Sequence, residues 1–337
     1  MADCRTSASP AMLARCTECD HQVLAPHSCG HRSCPHCQHH ESQPWLERPL
    51  QRLVPGTYSR VTFTLPPALR ALAFGKQRTL YTLMIQCAWQ TVQRFAHNDK
   101  PRQGTPGAIA VLHTPSRRLD YHPHVHLVVP AAVIDAKRRL WRTKKSKGKR
   151  RYLFHHKALA KAFRAKRLAA ITGEGLPLPE RSADKWVVDC KGVGSGEKAL
   201  VYLGRYLYRG VIREKDILAC ENGQVSFRYK NAKTQRIETR TVPGARFLWL
   251  ILQHVLPKGF RRARTFGFLH PNSKRLIAPL QYLFGLDPRR ALAWIKPRPR
   301  LACPCCGGEM EMIKTRIAPS LAAPPPVPIG DAAAAVM

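Results

Sequence analysis

The stretch Tyr121-His122-Pro123-His124-Val125-His126-Leu127-Val128-Val129-Pro130 decides how the rest of the chain is read. A β-strand sends alternate side chains to one face, so His124 and His126 point together while Val125, Leu127 and Val129 point the other way. Two neighbouring imidazoles on a stiff strand can hold a divalent metal, and the apolar opposite face gives that strand a core to pack on, which fixes the imidazole geometry. A plain surface strand with two histidines is the competing reading, so the flanking sequence has to choose.

Just upstream, Ala108 to His113 reads as a second strand, and a loop of about eight residues, Thr114 to Tyr121, returns the chain into the first. Antiparallel pairing of the two is expected to bring His113 near His124 and His126. A third neutral imidazole completes the usual protein share of a catalytic metal site and leaves positions open for substrate, the alternative being an ordinary histidine at a strand end. Further upstream, Tyr58 to Leu65 alternates Val61 and Phe63 with Thr62 and Thr64 before Pro66 and Pro67 stop it. Helices are expected over Ala68 to Phe74, Arg78 to His97 and His155 to Ile171, and a further strand over Lys185 to Cys190.

Downstream, Glu197 to Arg209 has the pattern of a helix on which Tyr202 and Tyr206, at i and i+4, share a face, with Arg205 and Arg209 as a second such pair beside them. Two phenols and two guanidiniums suit phosphate chemistry, the phenol as nucleophile and the arginines on the non-bridging oxygens. Taken alone, tyrosines at helical spacing are more often core residues. Strands are expected at Val225 to Lys230 and Ile237 to Val242, and helices at Ala245 to Leu256 and Leu276 to Gly285.

The formal charge of +35, from 56 Lys and Arg against 21 Asp and Glu, points to a polyanionic partner, most simply nucleic acid. Lys137 to Arg151 holds ten Lys or Arg in fifteen positions and no acid, so Lys144, Lys145, Lys147, Arg150 and Arg151 are expected on a phosphate backbone. No apolar run approaches the ~18 residues of a membrane span, and no signal-peptide pattern is present, so an intracellular protein is expected, with no membrane partner.

In a reducing compartment twelve cysteines argue for metal over disulfides. Cys16-Thr17-Glu18-Cys19 and Cys34-Pro35-His36-Cys37, fourteen residues apart, have the spacing of a four-thiolate Zn²⁺ site, with His21, Cys29, His31 and His36 as substitutes or supports. Cys303-Pro304-Cys305-Cys306-Gly307-Gly308 looks like half of a zinc ribbon whose second pair is not visible nearby; whether Cys303 and Cys306 bind metal stays open. The Ala- and Pro-rich tail from Ala318 onward is expected to be disordered.

In combination, His124-Val125-His126 and Tyr202-Leu203-Gly204-Arg205-Tyr206 resemble the His-hydrophobe-His (HUH) nuclease arrangement of the two-tyrosine rolling-circle transposases, the IS91 group of bacterial insertion sequences. The resemblance extends to Cys34-Pro35-His36-Cys37-Gln38, Thr62-Phe63-Thr64-Leu65-Pro66, Ala110-Val111-Leu112-His113-Thr114, His254-Val255-Leu256-Pro257-Lys258-Gly259-Phe260 and Cys303 to Gly308. It implies an α+β fold, an antiparallel HUH-nuclease sheet of about four or five strands flanked by helices and preceded by a small zinc-binding domain. The division expected is 1–45 for the zinc domain, 46–296 for the nuclease with its basic insertion near 137–151, and 297–337 for the knuckle and tail. It further implies Mg²⁺ or Mn²⁺ at the histidines, single-stranded element ends and target DNA as substrates, cleavage by Tyr202 or Tyr206 with a 5′-phosphotyrosine intermediate, and a bacterial cytoplasmic, nucleoid-associated protein. One departure stands out: only fifteen residues precede Cys16, where the family has a longer helical region with its own histidines. The alternative is therefore a truncated or inactive zinc-containing DNA-binding protein derived from such a transposase.

Overall fold

The loop between the two central strands sets the register of everything beside it. In a computed structural model of the chain, Ser116 Oγ accepts hydrogen bonds from the backbone N–H of Arg118 (3.2 Å) and Asp120 (3.1 Å), and the N–H of Ser116 donates to the Asp120 carbonyl (2.9 Å). Leu119 takes φ +69° at the reversal. The structure describes residues 4–29, 42–100, 103–135, 140–143, 153–180, 186–208, 211–232, 234–287, 289–290, 293 and 301–318. Lys144, Lys145, Lys147, Arg150, Arg151, Arg209, Cys34, Cys37 and the tail from 319 lie outside them, so the expectations made for those residues do too.

The chain divides into two units, Ser42–Ile295 and a smaller one that joins Met1–Glu41 to Lys296–Met337. The segments drawn from the sequence as 1–45 and 297–337 thus contribute to one body. Its sheet is β1 (Ala11–Cys16), β2 (Gln22–Pro26) and the last strand of the chain, β13 (Met310–Ile317), in the order β13-β1-β2. The apolar cluster there is small: Ala14, Cys16, Cys303 and Met310, with Val23 and Leu301 against it.

In the larger unit the elements are α1 (Ser42–Leu50), β3 (Tyr58–Thr64), α2 (Arg70–Gly75), α3 (Gln77–His97), β4 (Thr105–Pro115), β5 (Tyr121–Pro130), β6 (Ala132–Asp135), β7 (Leu140–Thr143), α4 (His156–Gly173), β8 (Val188–Gly194) and α5 (Glu197–Tyr208). There follow β9 (Ile217–Glu221), β10 (Gln224–Lys230), β11 (Ile237–Pro243), α6 (Gly244–Leu252), β12 (Ala263–Gly267) and α7 (Lys274–Leu283). The α+β class holds, with one correction of size. The main sheet has seven antiparallel strands among the described residues, in the order β7-β6-β4-β5-β3-β8 with β12 beside β4, where the sequence suggested four or five. The extra strands are short: β6 and β7 have four residues each and β12 reads Ala-Arg-Thr-Phe-Gly, too little alternation to register as strands.

Alternation gives the sheet two faces. Val61, Phe63, Ala110, Leu112, Val125, Leu127 and Val129 are buried with Leu80 and Met84 of α3 and Leu159 and Phe163 of α4. Each large side chain so buried stabilises the fold by roughly 1.5–3 kcal/mol. The opposite face buries Ile109, Val111 and Val128 against Leu46 and Leu50 of α1, Leu200 and Leu203 of α5 and Ile277 of α7. A third cluster, Val225, Phe227, Val242, Phe247 and Leu250, joins the β9-β10-β11 sheet to α6 and takes in Leu119 from the β4–β5 loop. Gln253 Nε2 (2.8 Å) and His254 Nε2 (2.9 Å) donate to the Leu119 carbonyl, which clamps the reversal.

Close approach of α5 to α1 depends on Gly204. A Cβ there would meet Leu46 Cδ2 at 2.4 Å and Cγ at 2.6 Å. We expect Gly204→Val to push the two helices apart and to lower stability by about 1–3 kcal/mol, read from the urea midpoint. Restoring space with Leu46→Ala in the same chain is expected to recover part of that loss; purely additive effects of the two substitutions would count against the contact.

Candidate metal centre and the cysteine cluster

The alternation that buries Val125 and Leu127 turns His122, His124 and His126 to the face shared with α1 and α5, and β4 pairs in a register that sets His113 opposite His124 and Val111 opposite His126. His113, His124 and His126 converge so that one ring nitrogen from each lies within 4.8 Å of the others. Ring centroids are 4.7 Å apart for His113 and His126, and 4.9 Å for His124 and His126. The pairing inferred from the eight-residue loop therefore assembles the three imidazoles.

The surroundings fix which nitrogen is available. His124 Nδ1 lies 2.7 Å from the His122 carbonyl, which only accepts, so Nδ1 carries the proton and Nε2 keeps its lone pair. His126 Nδ1 is engaged by Thr62 Oγ1 at 2.8 Å, again leaving Nε2. His122 does not join the cluster; its Nδ1 accepts from Arg70 Nη2 at 2.7 Å. Thr62 and Arg70 were not singled out in the sequence, although Thr62 alternates with Phe63 on a strand whose neighbour only the pairing Thr62↔His126 reveals.

Burial is the largest cause that disfavours the charged imidazoles, followed by repulsion from neighbouring histidines, His122 in the case of His124, and from nearby arginines including Arg60. His124 is brought down to about 4, and His113 and His126 fall well below the ordinary value of 6.5. All three are neutral at physiological pH, the form that binds a cation. A pH dependence follows. Between about pH 4 and 6.5 the unfolded chain binds protons at His124 that the folded chain does not, so stability rises with pH through that window and levels off above it. For His124 alone the gain is about 3 kcal/mol. Urea unfolding of the metal-free protein at pH 4.5 and 7 measures it, and His124→Asn is expected to flatten the slope.

Tyr202 and Tyr206 stand on α5, four residues apart, with Arg205 between them. That helix packs through Leu200 and Leu203 on the sheet face that bears the histidines.

In the smaller unit Cys16 and Cys19 meet Cys303 and Cys306, all four sulfurs within 4.8 Å of one another. Cys16 Sγ is 3.4 Å from Cys306 Sγ, and Cys19 Sγ is 3.6 Å from Cys303 Sγ. Among the described residues the partners of Cys16 and Cys19 are the C-terminal pair, because β1 pairs with β13 in a register that sets Cys16 opposite Met310; Cys34 and Cys37, which the spacing suggested, lie outside those residues. The turns are alike: backbone N–H groups of Glu18, Cys305 and Gly308 each donate to the sulfur two residues earlier, at 3.4 Å. Backbone donation from Glu18, then Cys19, lowers the Cys16 thiol to about 7, favouring thiolate. Gly308 lies close enough that a Cβ would stand 3.3 Å from Cys16 Sγ. Four thiolates in this arrangement fit a structural Zn²⁺.

Among the described residues no helix is long and apolar enough to cross a membrane. Residues 107–276 match the family model described as "Putative transposase", and residues 1–65 match that of the "Transposase zinc-binding domain" of the IS91 type. The chain is 31% identical over 357 residues to "Putative transposase y4qJ" of Sinorhizobium fredii, covering 96% of this chain and 89% of that protein. It is 29% identical over 305 residues to "Transposase for insertion sequence element IS801" of Pseudomonas savastanoi pv. phaseolicola, covering 84% and 70%. No solved structure matches. With a family model over half its length, a zinc-domain model at its N-terminus and a relative alike from end to end, the chain belongs to the IS91-type insertion-sequence transposases.

Proposed function

We propose that the chain nicks and rejoins single-stranded DNA through a 5′-phosphotyrosine intermediate in rolling-circle transposition. The observation that carries this reading is that α5, the helix of Tyr202 and Tyr206, packs on the same sheet face as His113, His124 and His126. The donor set suits a divalent cation: three neutral imidazoles from two rigid strands, two of them with Nε2 left available. Imidazole ligation favours Mn²⁺ over Mg²⁺, which prefers oxygen. A cation held there supplies Lewis-acid polarisation of the scissile phosphate and stabilises its developing charge.

The chain's own groups do the rest. A phenol of Tyr202 or Tyr206 gives up its proton and attacks phosphorus; the bond to the tyrosine oxygen forms as the bond to the 3′ oxygen breaks, and that oxygen takes up a proton as a 3′-hydroxyl. One phosphodiester replaces another, so rejoining needs no nucleotide triphosphate. Arg205 and Arg209 are assigned to the phosphate oxygens, and Lys144, Lys145, Lys147, Arg150 and Arg151 to the flanking backbone. The second tyrosine permits two strand ends to be held during exchange.

Incubation with a labelled single-stranded element end and Mn²⁺ is expected to give a denaturation-resistant protein–DNA adduct. Replacing both Tyr202 and Tyr206 by Phe is expected to abolish it while oligonucleotide binding persists. Binding without an adduct in the unaltered chain favours the inactive DNA-binding alternative.

A further inference from the structure

Beyond the histidine face, a patch at the start of β5 has no role in the reaction as described. Phe74 on α2 and Trp249 on α6 are 38% and 46% exposed, and their rings meet edge to face with centroids 5.6 Å apart. Phe74 also meets Tyr121 at 5.5 Å and 87°. Tyr121 is fixed in turn by a 2.6 Å hydroxyl contact to Tyr81 and by stacking over His254, so the exposed rings rest on a rigid base. Leu248, Leu252 and Val255 extend the apolar surface along and just beyond α6.

Cations border it. Arg70, one helical turn before Phe74, bonds to His122, and Arg78 donates to the carbonyl of Lys258, which brings two more basic residues together. From Pro66 to Arg78 and from Gly244 to Arg264 there is no Asp or Glu. The acid beside Tyr121, Asp120, is paired with Arg240 at 3.0 Å and Arg118 at 4.0 Å, so rings edged by cations match a ligand with flat bases and an anionic backbone. His124 follows Tyr121 by three residues, ~10 Å along β5 and on the opposite face of the sheet, so a strand stacked on these rings reaches the histidines around the start of β5, where Arg70 bonds to His122 and the His122 carbonyl holds His124 Nδ1.

We infer that Phe74 and Trp249 form a base-stacking platform for the single-stranded DNA that runs to the histidine site, an inference that rests on the strand-cleaving reading above. Trp249→Ala and Phe74→Ala are expected to weaken binding of a fluorescein-labelled oligothymidylate about tenfold by anisotropy, while Trp249→Phe keeps most of the affinity. An oligonucleotide with abasic sites is expected to bind the unaltered chain about tenfold less tightly, and to lose no further affinity in Trp249→Ala. Equal affinities across the variants, with the unaltered chain still binding and forming its tyrosine adduct, overturn the platform alone. An unaltered chain that does not bind single strands overturns both readings. A change of oligomeric state in Trp249→Ala by light scattering, with unchanged oligonucleotide affinity, makes the patch an interface between copies and overturns the platform.

Discussion

Cys303→Ser is expected to lower the zinc content by one ion per chain and to unfold the smaller unit while leaving the larger one intact. The reason is the size of the apolar cluster there, four buried residues with two partly buried ones against them. A body with so little core depends on its metal, and zinc binding in such small folds supplies on the order of 10 kcal/mol. Serine keeps the volume but not the thiolate that neighbours Cys19 at 3.6 Å. The larger unit has its own extensive cores on both sheet faces and is expected to keep its unfolding transition. Metal analysis together with calorimetry reads both effects. The same loss is expected on deletion of residues 301–318, since β13 and both C-terminal thiolates go together. Unchanged zinc content in Cys303→Ser would instead return the fourth position to Cys34 or Cys37.

His126→Ala, in the second case, is expected to abolish divalent-metal binding and to reduce adduct formation at least about a thousandfold, given the several kcal/mol that a Lewis acid contributes to phosphoryl transfer. His126 is buried beside both His113 and His124, whose own rings are 5.3 Å apart, so its loss removes one corner of a compact triangle. Thr62→Val keeps the imidazole but removes the hydroxyl beside Nδ1, and is expected to weaken metal affinity about 10- to 100-fold with activity restored at higher Mn²⁺. Titration calorimetry with Mn²⁺ and the adduct assay separate the two. If Thr62→Val lowers the rate without moving the metal affinity, Thr62 acts otherwise than through His126.

Much of the core was legible because its signals are local. The strand from Tyr121 to Pro130 has the bounds read from the sequence, since histidines alternate with other side chains up to His126 and an apolar run carries the strand on to Pro130, and the short loop before it forces antiparallel pairing with β4. The helix of the tyrosines was legible for the same reason, its apolar positions recurring at helical spacing. The cysteine cluster was half legible: Cys16 and Cys19 announce themselves by spacing, and so do Cys303 and Cys306, but each pair looked for its complement close by in the chain.

The sequence by itself determined the residue types of both centres, the alternation that turns His124 and His126 to one face, and the polyanion-binding charge. Only the tertiary structure decided which pairs meet. Strand pairing between β1 and β13 closes a loop of nearly the whole chain, and nothing in local propensity encodes a partner that distant. The same holds for Thr62 under His126 and for Phe74 against Trp249: each is ordinary in its own segment and acquires meaning from the neighbour that packing brings to it.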